Sequence, residues 1–386
     1  MSMAGSASLG NNYEISHPPH GTERVSDAFI SRYKQQELSG KLLPKERVAG
    51  CMHHFMTGRG SVDILYSERV QKAHYGGLMV CGSVWVCPVC SAKITERRRV
   101  ELSEAIQSSR WRYTPILITL TFQHTRDDEL KALLAILNDT FRELKKGAPW
   151  DRAKARYGIE HYVTSLEVTW GGNGWHPHKH MLVFSSLPED EIDTEGLEAW
   201  LSSRWQALLS KKGYYSSELY GVKVQAGNDK VGDYVSKWGI EHELTKAPVK
   251  RGRVGRDGKG LSPFELLELY GLGEKWAGEL FKEYAAAMKG RHQLQWSRGA
   301  RSALGLSEVQ KTDEELAIEQ EEEAVVMASL DWSQWKLILK AEKRGEVLQV
   351  ASSGDVASLW KYLTSLGVYH RQEVGRDYPN LELENP

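Results

Sequence analysis

The stretch GWHPHKHMLVF, residues 174–184, decides how the chain is read. His176, His178 and His180 fall within five positions, and an apolar run follows directly. Alternate side chains of an extended strand share a face, so the three imidazoles point one way while Trp175, Met181 and Val183 point the other. Upstream, EHYVTSLEVTW (160–170) has the same period of two, and the GGNG between the runs reads as a hairpin loop. If Trp170 pairs with Trp175, Glu167 falls opposite His178, and Ser165, Glu167 and Thr169 join the histidine face. Imidazoles at i and i+2 are ~6.6 Å apart along the strand, close enough for both rings to reach one ion. With Glu167 across the hairpin they form a donor set suited to a divalent cation with vacant positions. An HxH pair alone also occurs by chance on surface strands; the carboxylate separates the two readings.

Working outward, ILITLTF (116–122) alternates, with Ile116, Ile118, Leu120 and Phe122 on one face and Thr119 and Thr121 on the other. The segment from Thr125 to Gly147 then reads as one amphipathic helix. Thr125 caps it, Leu130, Leu133, Leu134, Leu137, Phe141 and Leu144 form its stripe, and Gly147 ends it. Residues 195–213 supply a second such helix, 218–227 a further strand, and DKVGDYVSKWGIEHELTK a closing helix capped near Asn228 or Asp229. The order β-α-β-β-α-β-α predicts an α+β fold with an antiparallel, ferredoxin-like sheet. Its hairpin is central, one face is covered by helices and the histidine face is open.

Cys51, Cys81, Cys87 and Cys90 are the only cysteines. A CPVC pair with two further thiols, in a chain lacking a secretory layout, reads as a closed tetrahedral zinc site with a structural role. His53 or His54 as a substitute for Cys51, and a redox CxxC, are the alternatives. SAKITERRRVEL looks like a helix leaving this knuckle with its arginines together.

The 386 residues, 41% hydrophobic with 13 Trp, suffice for a large core, and no apolar run nears the ~20 residues of a bilayer span. The expectation is a cytoplasmic protein with no membrane partner. A formal net charge of −1 averages opposed blocks. Lys93, Arg97, Arg98 and Arg99 form one basic cluster, and residues 246–260, with Lys250, Arg251, Arg253 and Arg256, form another. The acid lies mainly in TDEELAIEQEEEA (312–324). Each basic run reads either as a solvated face or as a set of phosphate contacts on DNA.

A half-filled divalent site beside basic segments would polarise a phosphate ester, and a nucleophile is then needed. Tyr234, in the closing helix, is the candidate, with Lys237 one turn and Glu241 two turns along; core packing with Val231, Val235 and Trp238 is its other reading.

HPHKH with its apolar strand resembles the HUH motif of rolling-circle replication initiators, the Rep proteins of plasmids and phages. LITLTF resembles their first motif, SLEVTW the strand before the HUH, DYVSKW their tyrosine motif, and the cysteines the N-terminal segment of one plasmid branch; together these span roughly residues 45–250. The resemblance implies an RRM-like HUH nuclease domain, with Mn²⁺ or Mg²⁺ on His178, His180 and Glu167. It implies attack by Tyr234 on single-stranded or extruded origin DNA, giving a 5′-phosphotyrosine and a free 3′-hydroxyl. Lys237 would stabilise charge or lower the phenol's pKa, and Glu241 would activate water, with Asp233 and Glu243 behind it. His176, before Pro177, would lie beside the ligands or face DNA. Trp170, Trp175 and Trp238 would stack on bases or fill the core. A helicase or polymerase of the host is the implied partner. Lys179, where the HUH has an apolar residue, implies a less buried face or a snorkelling stem. Trp238 stands where some relatives have a second tyrosine. A transposase or relaxase-like strand transferase, and a non-catalytic zinc DNA-binding protein, are the alternatives.

The expected division is a flexible segment 1–44, a zinc segment 45–108, the nuclease domain 109–250, a basic loop and helical domain 251–310, and an acidic linker with a helical end 311–386. WSRGAR (296–301) reads as a DNA contact or a helix terminus.

Overall fold

A computed structural model describes residues 22–227, 260–319 and 323–370, with side chains from 30 onward. Among them the chain is α+β, with two antiparallel sheets.

The larger sheet grows from the hairpin. Strands β3 (Thr114–Leu120), β4 (Ile159–Gly171), β5 (Gly174–Ser185), β6 (Val222–Ala226) and β7 (Leu294–Trp296) lie in the order β6-β3-β5-β4-β7. The β4–β5 register is the expected one, with Trp170 opposite Trp175 and Glu167 opposite His178. Two residues, Gly172 and Asn173, join the strands. Gly174, at φ +87°, leaves them in a conformation that strains other residues, and a Cβ there would sit 2.9 Å from the Arg126 Cα.

One face of this sheet buries Ile116, Ile118, Leu120, Leu166, Val168, Trp175, Met181 and Val183 under helices α3 (Leu130–Leu144), α4 (Gly147–Arg156) and α5 (Thr194–Ser210). α3 starts later than the Thr125 cap predicts. The Thr125 backbone N–H and hydroxyl both donate to Asp128, closing a turn ahead of the helix, and Leu130 N donates instead to Glu283. Gly147, expected to end one long helix, opens α4, its φ of +71° redirecting the chain. Trp170 is partly buried and packs edge-on against the buried Trp175, whose ring stacks on Tyr284.

The histidine face is not wholly open. At its far end Leu117, Val163, Leu182 and Phe184 are covered by Leu102 and Ala105 of α2 (Pro88–Ser109) and by Leu294, Ala300 and Leu304. Among the described residues nothing covers the histidine end, because the 22-residue α2 turns its N-terminal half, with Val89, Cys90 and Ile94, to another core.

That second core holds a three-stranded sheet, β2 (Lys72–Gly76), β1 (Val62–Ser67) and β8 (Val325–Leu330), in the order β2-β1-β8. Residues 311–370 are not a separate helical end, since β8 pairs with β1 and Trp335, Ile338, Val347 and Leu359 enter the cysteine-bearing core. Nor are residues 260–310 a separate domain: α6 (Pro263–Gly271) and α7 (Lys275–Met288) pack on the main core, and β7 extends its sheet. Residues 22–42, expected to be flexible, form helix α1 (Thr22–Leu42).

The opposed charge blocks also meet. α9 (Asp313–Ile318), opened by a Thr312/Glu315 capping box, lies along α2, where Asp313 pairs with Arg98, and its Glu314 pairs with Arg47 ahead of β1. Arg344, in α11 (Arg344–Ala351), is buried between α1 and the knuckle, donating to Glu37, Gln36 and the carbonyls of Cys51 and Met52.

Candidate active site

The sheet brings Glu167, His178 and His180 together, with one donor atom from each lying within 4.8 Å of the others. Cross-strand pairing sets Glu167 against His178, and the period of two puts His180 one step along. The His180 Nδ1 meets the Thr119 hydroxyl at 3.0 Å on β3, which fixes the ring and turns Nε2 to the Glu167 carboxylate at 3.0 Å. A histidine whose far nitrogen is held by an oriented partner is the usual form of a metal ligand. His180 is buried and Glu167 is exposed, so the site opens to solvent at the carboxylate. Burial, then the neighbouring His176, pushes the His178 pKa down to about 4. Near neutral pH its ring is therefore uncharged, the form that binds a cation.

Sequence reading missed His124. It lies just past β3, donates or accepts through Nε2 with His176 Nδ1, and meets the Asn173 carbonyl at 2.9 Å through Nδ1. With His176 packed edge-on against His178 at 4.3 Å, four imidazoles form a row toward the hairpin loop. Burial lowers the pKa of His124 and His176 as well. The signal available was the position of His124 two residues after the strand whose Thr119 already faced the histidines.

Lys179, between the two ligands, points to the opposite face. It neither lies on a less buried face nor snorkels: only 6% of its surface is exposed. Burial, then Lys145 and Arg291, lowers its pKa to about 8.

The four cysteines converge as a second centre. Their sulfurs stand 3.6 Å (Cys51 to Cys90) and 3.7 Å (Cys81 to Cys90, Cys87 to Cys51) apart, all buried and none in a disulfide. A tetrahedron with Zn–S bonds of about 2.3 Å has edges of about 3.8 Å, so the donors fit zinc. Backbone N–H groups of Cys81 and Cys90 point at the sulfurs of Cys51 and Cys87. Hydrogen bonds from its three neighbours pull the Cys90 thiol down, while burial pushes Cys87 up. Four thiolates at this spacing need a cation among them. His53 is not a ligand: its Nδ1 meets the Cys51 carbonyl and its Nε2 Glu37.

The basic residues fare unequally. Arg98 is buried and held by Glu101, Asp313 and the Lys311 carbonyl, which removes it from contact with a strand. Arg97 reaches Glu319 at 4.0 Å and Arg99 bonds Glu96 at 2.7 Å, both remaining partly exposed. In WSRGAR, Arg301 is buried against Glu101 and the Ser307 carbonyl, while Arg298 is exposed. Tyr234, Lys237, Trp238 and Glu241, with Asp233 and Glu243, lie outside the described residues, as do Lys250, Arg251, Arg253 and Arg256. No helix among the described residues is long and apolar enough to cross a membrane.

A sequence model of a family described as replication protein matches residues 78–341. The chain is similar to the protein rep of Streptomyces lividans, 28% identical over 298 residues, which cover 60% of this chain and 64% of that one. It is also similar to a neomycin resistance protein of Streptomyces cyanogenus, 33% identical over 136 residues, 28% of this chain and 30% of that one. The chain thus spans less than two thirds of the length of either relative. No solved structure matches.

Proposed function

As the chain belongs to the replication-protein family, we propose that it initiates plasmid replication by the rolling-circle route, nicking one origin strand through Tyr234. The observation that carries this reading is the convergence of Glu167, His178 and His180 on one face of the sheet. The strand order β6-β3-β5-β4, with a helix between β3 and β4 and another between β5 and β6, supports a ferredoxin-like nuclease core.

Glu167, His178 and His180 would hold a divalent ion, Mn²⁺ or Mg²⁺, which would withdraw charge from the scissile phosphate. Thr119 holds His180, and the row His124–His176 buttresses His178, so the donors are set before any strand arrives. The Tyr234 oxygen attacks phosphorus and loses its proton; the bond to the 3′ oxygen breaks, and that oxygen takes up a proton. The products are a 5′-phosphotyrosine and a free 3′-hydroxyl. Because the ester retains the bond energy, a later hydroxyl can displace the tyrosine and rejoin the strand without ATP. Lys237 is assigned to the phosphate charge and Glu241 to activating water at termination. Arg97 and Arg99, with Lys250, Arg251, Arg253 and Arg256, are assigned to the strand backbone. Zinc on the four cysteines has a structural role.

The test is a denaturing gel. With Mn²⁺, a labelled single-stranded origin oligonucleotide becomes covalently attached to the wild-type chain, and attachment is lost in Tyr234→Phe and in His178→Ala. Attachment that survives Tyr234→Phe would remove the tyrosine from the mechanism. A wild-type chain that binds the strand but never attaches would favour a non-catalytic zinc protein.

A further inference from the structure

On the reverse side of the sheet from the candidate metal ligands lies a cleft of ≈ 560 Å³ between the C-terminal end of α3 and the segment leading into β7. Arg142, Lys145, Lys146, Lys179 and Arg291 line it, and no lining residue is acidic. Lys179 is more than nine-tenths buried, yet among the described residues its ammonium has no hydrogen-bond or ion-pair partner; the nearest favourable contact is the Phe141 ring, 5.5 Å away. Lys145 and Arg291, which line the cleft with it, are themselves cations. A buried cation without a counter-charge is costly, and three together are worse. This arrangement is poised for an anion.

The donors are also held ready. Lys145 Nζ sits over the Phe141 ring at 4.2 Å and donates to the Tyr162 hydroxyl at 3.1 Å. The Arg291 Nε donates to the Ala287 carbonyl at 2.8 Å, and the Trp85 indole donates to the Arg291 carbonyl at 2.8 Å, which fixes that backbone against α7. Of the five cations only Arg142 has a carboxylate partner among the described residues, the exposed Asp139 at 2.9 Å.

We propose that this cleft binds a phosphate group, with Lys179 at its floor and Lys145 and Arg291 at its walls. The group belongs either to a nucleic-acid backbone or to a free phosphate; the chemistry is shared and the experiment separates them. The site stands apart from the nicking reading, needing neither the divalent ion nor Tyr234.

The test uses the whole chain without added divalent ion. In one arm inorganic phosphate is added against chloride of equal ionic strength and the thermal midpoint is read. In the other, binding of an unmodified thymidylate 12-mer is followed by anisotropy over a range of salt. The variants are Lys179→Met, which keeps length and removes the buried charge, and Lys145→Gln, which leaves the floor intact should the first variant fold poorly. Loss of the phosphate-induced rise in both variants supports the site. So does a fall of about one in the slope of log affinity against log salt. Change in the second arm identifies a strand phosphate, and change in the first alone a free anion. If wild type shows no phosphate-induced rise and the slope is the same in all three proteins, or if both variants behave as wild type in both arms, the proposal fails.

Discussion

At the scale of single residues, the meeting of Glu167, His178 and His180 was legible and its supports were not. His178, His180 and Glu167 follow from a period of two and a two-residue loop, which together leave one register that buries the apolar face. Thr119 and His124 reach the site from another strand and its following loop, and no local spacing reports such pairings. The hydroxyl of Thr119 gives a prediction: Thr119→Val keeps the branched shape on β3 but frees the His180 ring. Affinity for Mn²⁺, measured by calorimetry, is expected to fall about 10- to 100-fold, the usual effect of removing such a partner. An unchanged affinity would mean that Thr119 does not orient the ring. Arg344 gives a second. It is 1% exposed and bonded to Glu37, Gln36 and two carbonyls around the knuckle. Arg344→Ala takes the guanidinium away from Glu37, Gln36 and the Met52 carbonyl, groups it alone holds together, and should cost about 3–5 kcal/mol in urea unfolding.

At the scale of elements, helices with a long stripe were readable and short strands with distant partners were not. The stripe from Leu130 to Leu144 is buried as expected, yet its start moved because the Thr125 and Asp128 side chains close a turn of their own. VVMASL (325–330), six residues between polar stretches, read as part of a helical end; its identity as a strand depends on β1, more than 250 residues earlier. The acidic stretch reads as a linker, and its first half is the helix whose Asp313 pairs with Arg98 of α2 and whose Glu314 pairs with Arg47. Asp331 caps α10 (Trp332–Lys340) in a reciprocal box with Gln334. Asp331→Ala should lower stability by about 1 kcal/mol in the same urea assay, leaving metal affinity unchanged.

At the scale of the whole molecule, the two cores share α2, and α1 is tied to α11 through Glu37 and Arg344. Burial of Glu37 opposes ionisation, but the His53 hydrogen bond and the adjacent Arg344 guanidinium prevail and hold its carboxyl below the usual value. The folded state therefore binds this proton less readily than the unfolded chain. Its contribution is present above the ordinary carboxylate value of 4.5 and is lost as pH falls below it. Glu37→Gln, which cannot titrate, should show a shallower loss of stability between about pH 5 and pH 3 than wild type; equal slopes would remove Glu37 from the acid response. None of this coupling was legible beforehand, because it joins residues about 300 positions apart.

The pairing of β8 with β1 also has a temporal side. A ribosome releases residue 62 long before residue 330, so the early strand must wait, one edge unsatisfied, for most of translation. The thiol cluster shares its interior with side chains from that late segment. Full enclosure of the four sulfurs is thus deferred until almost everything has been synthesised, and prematurely terminated products should emerge with them open to oxidation.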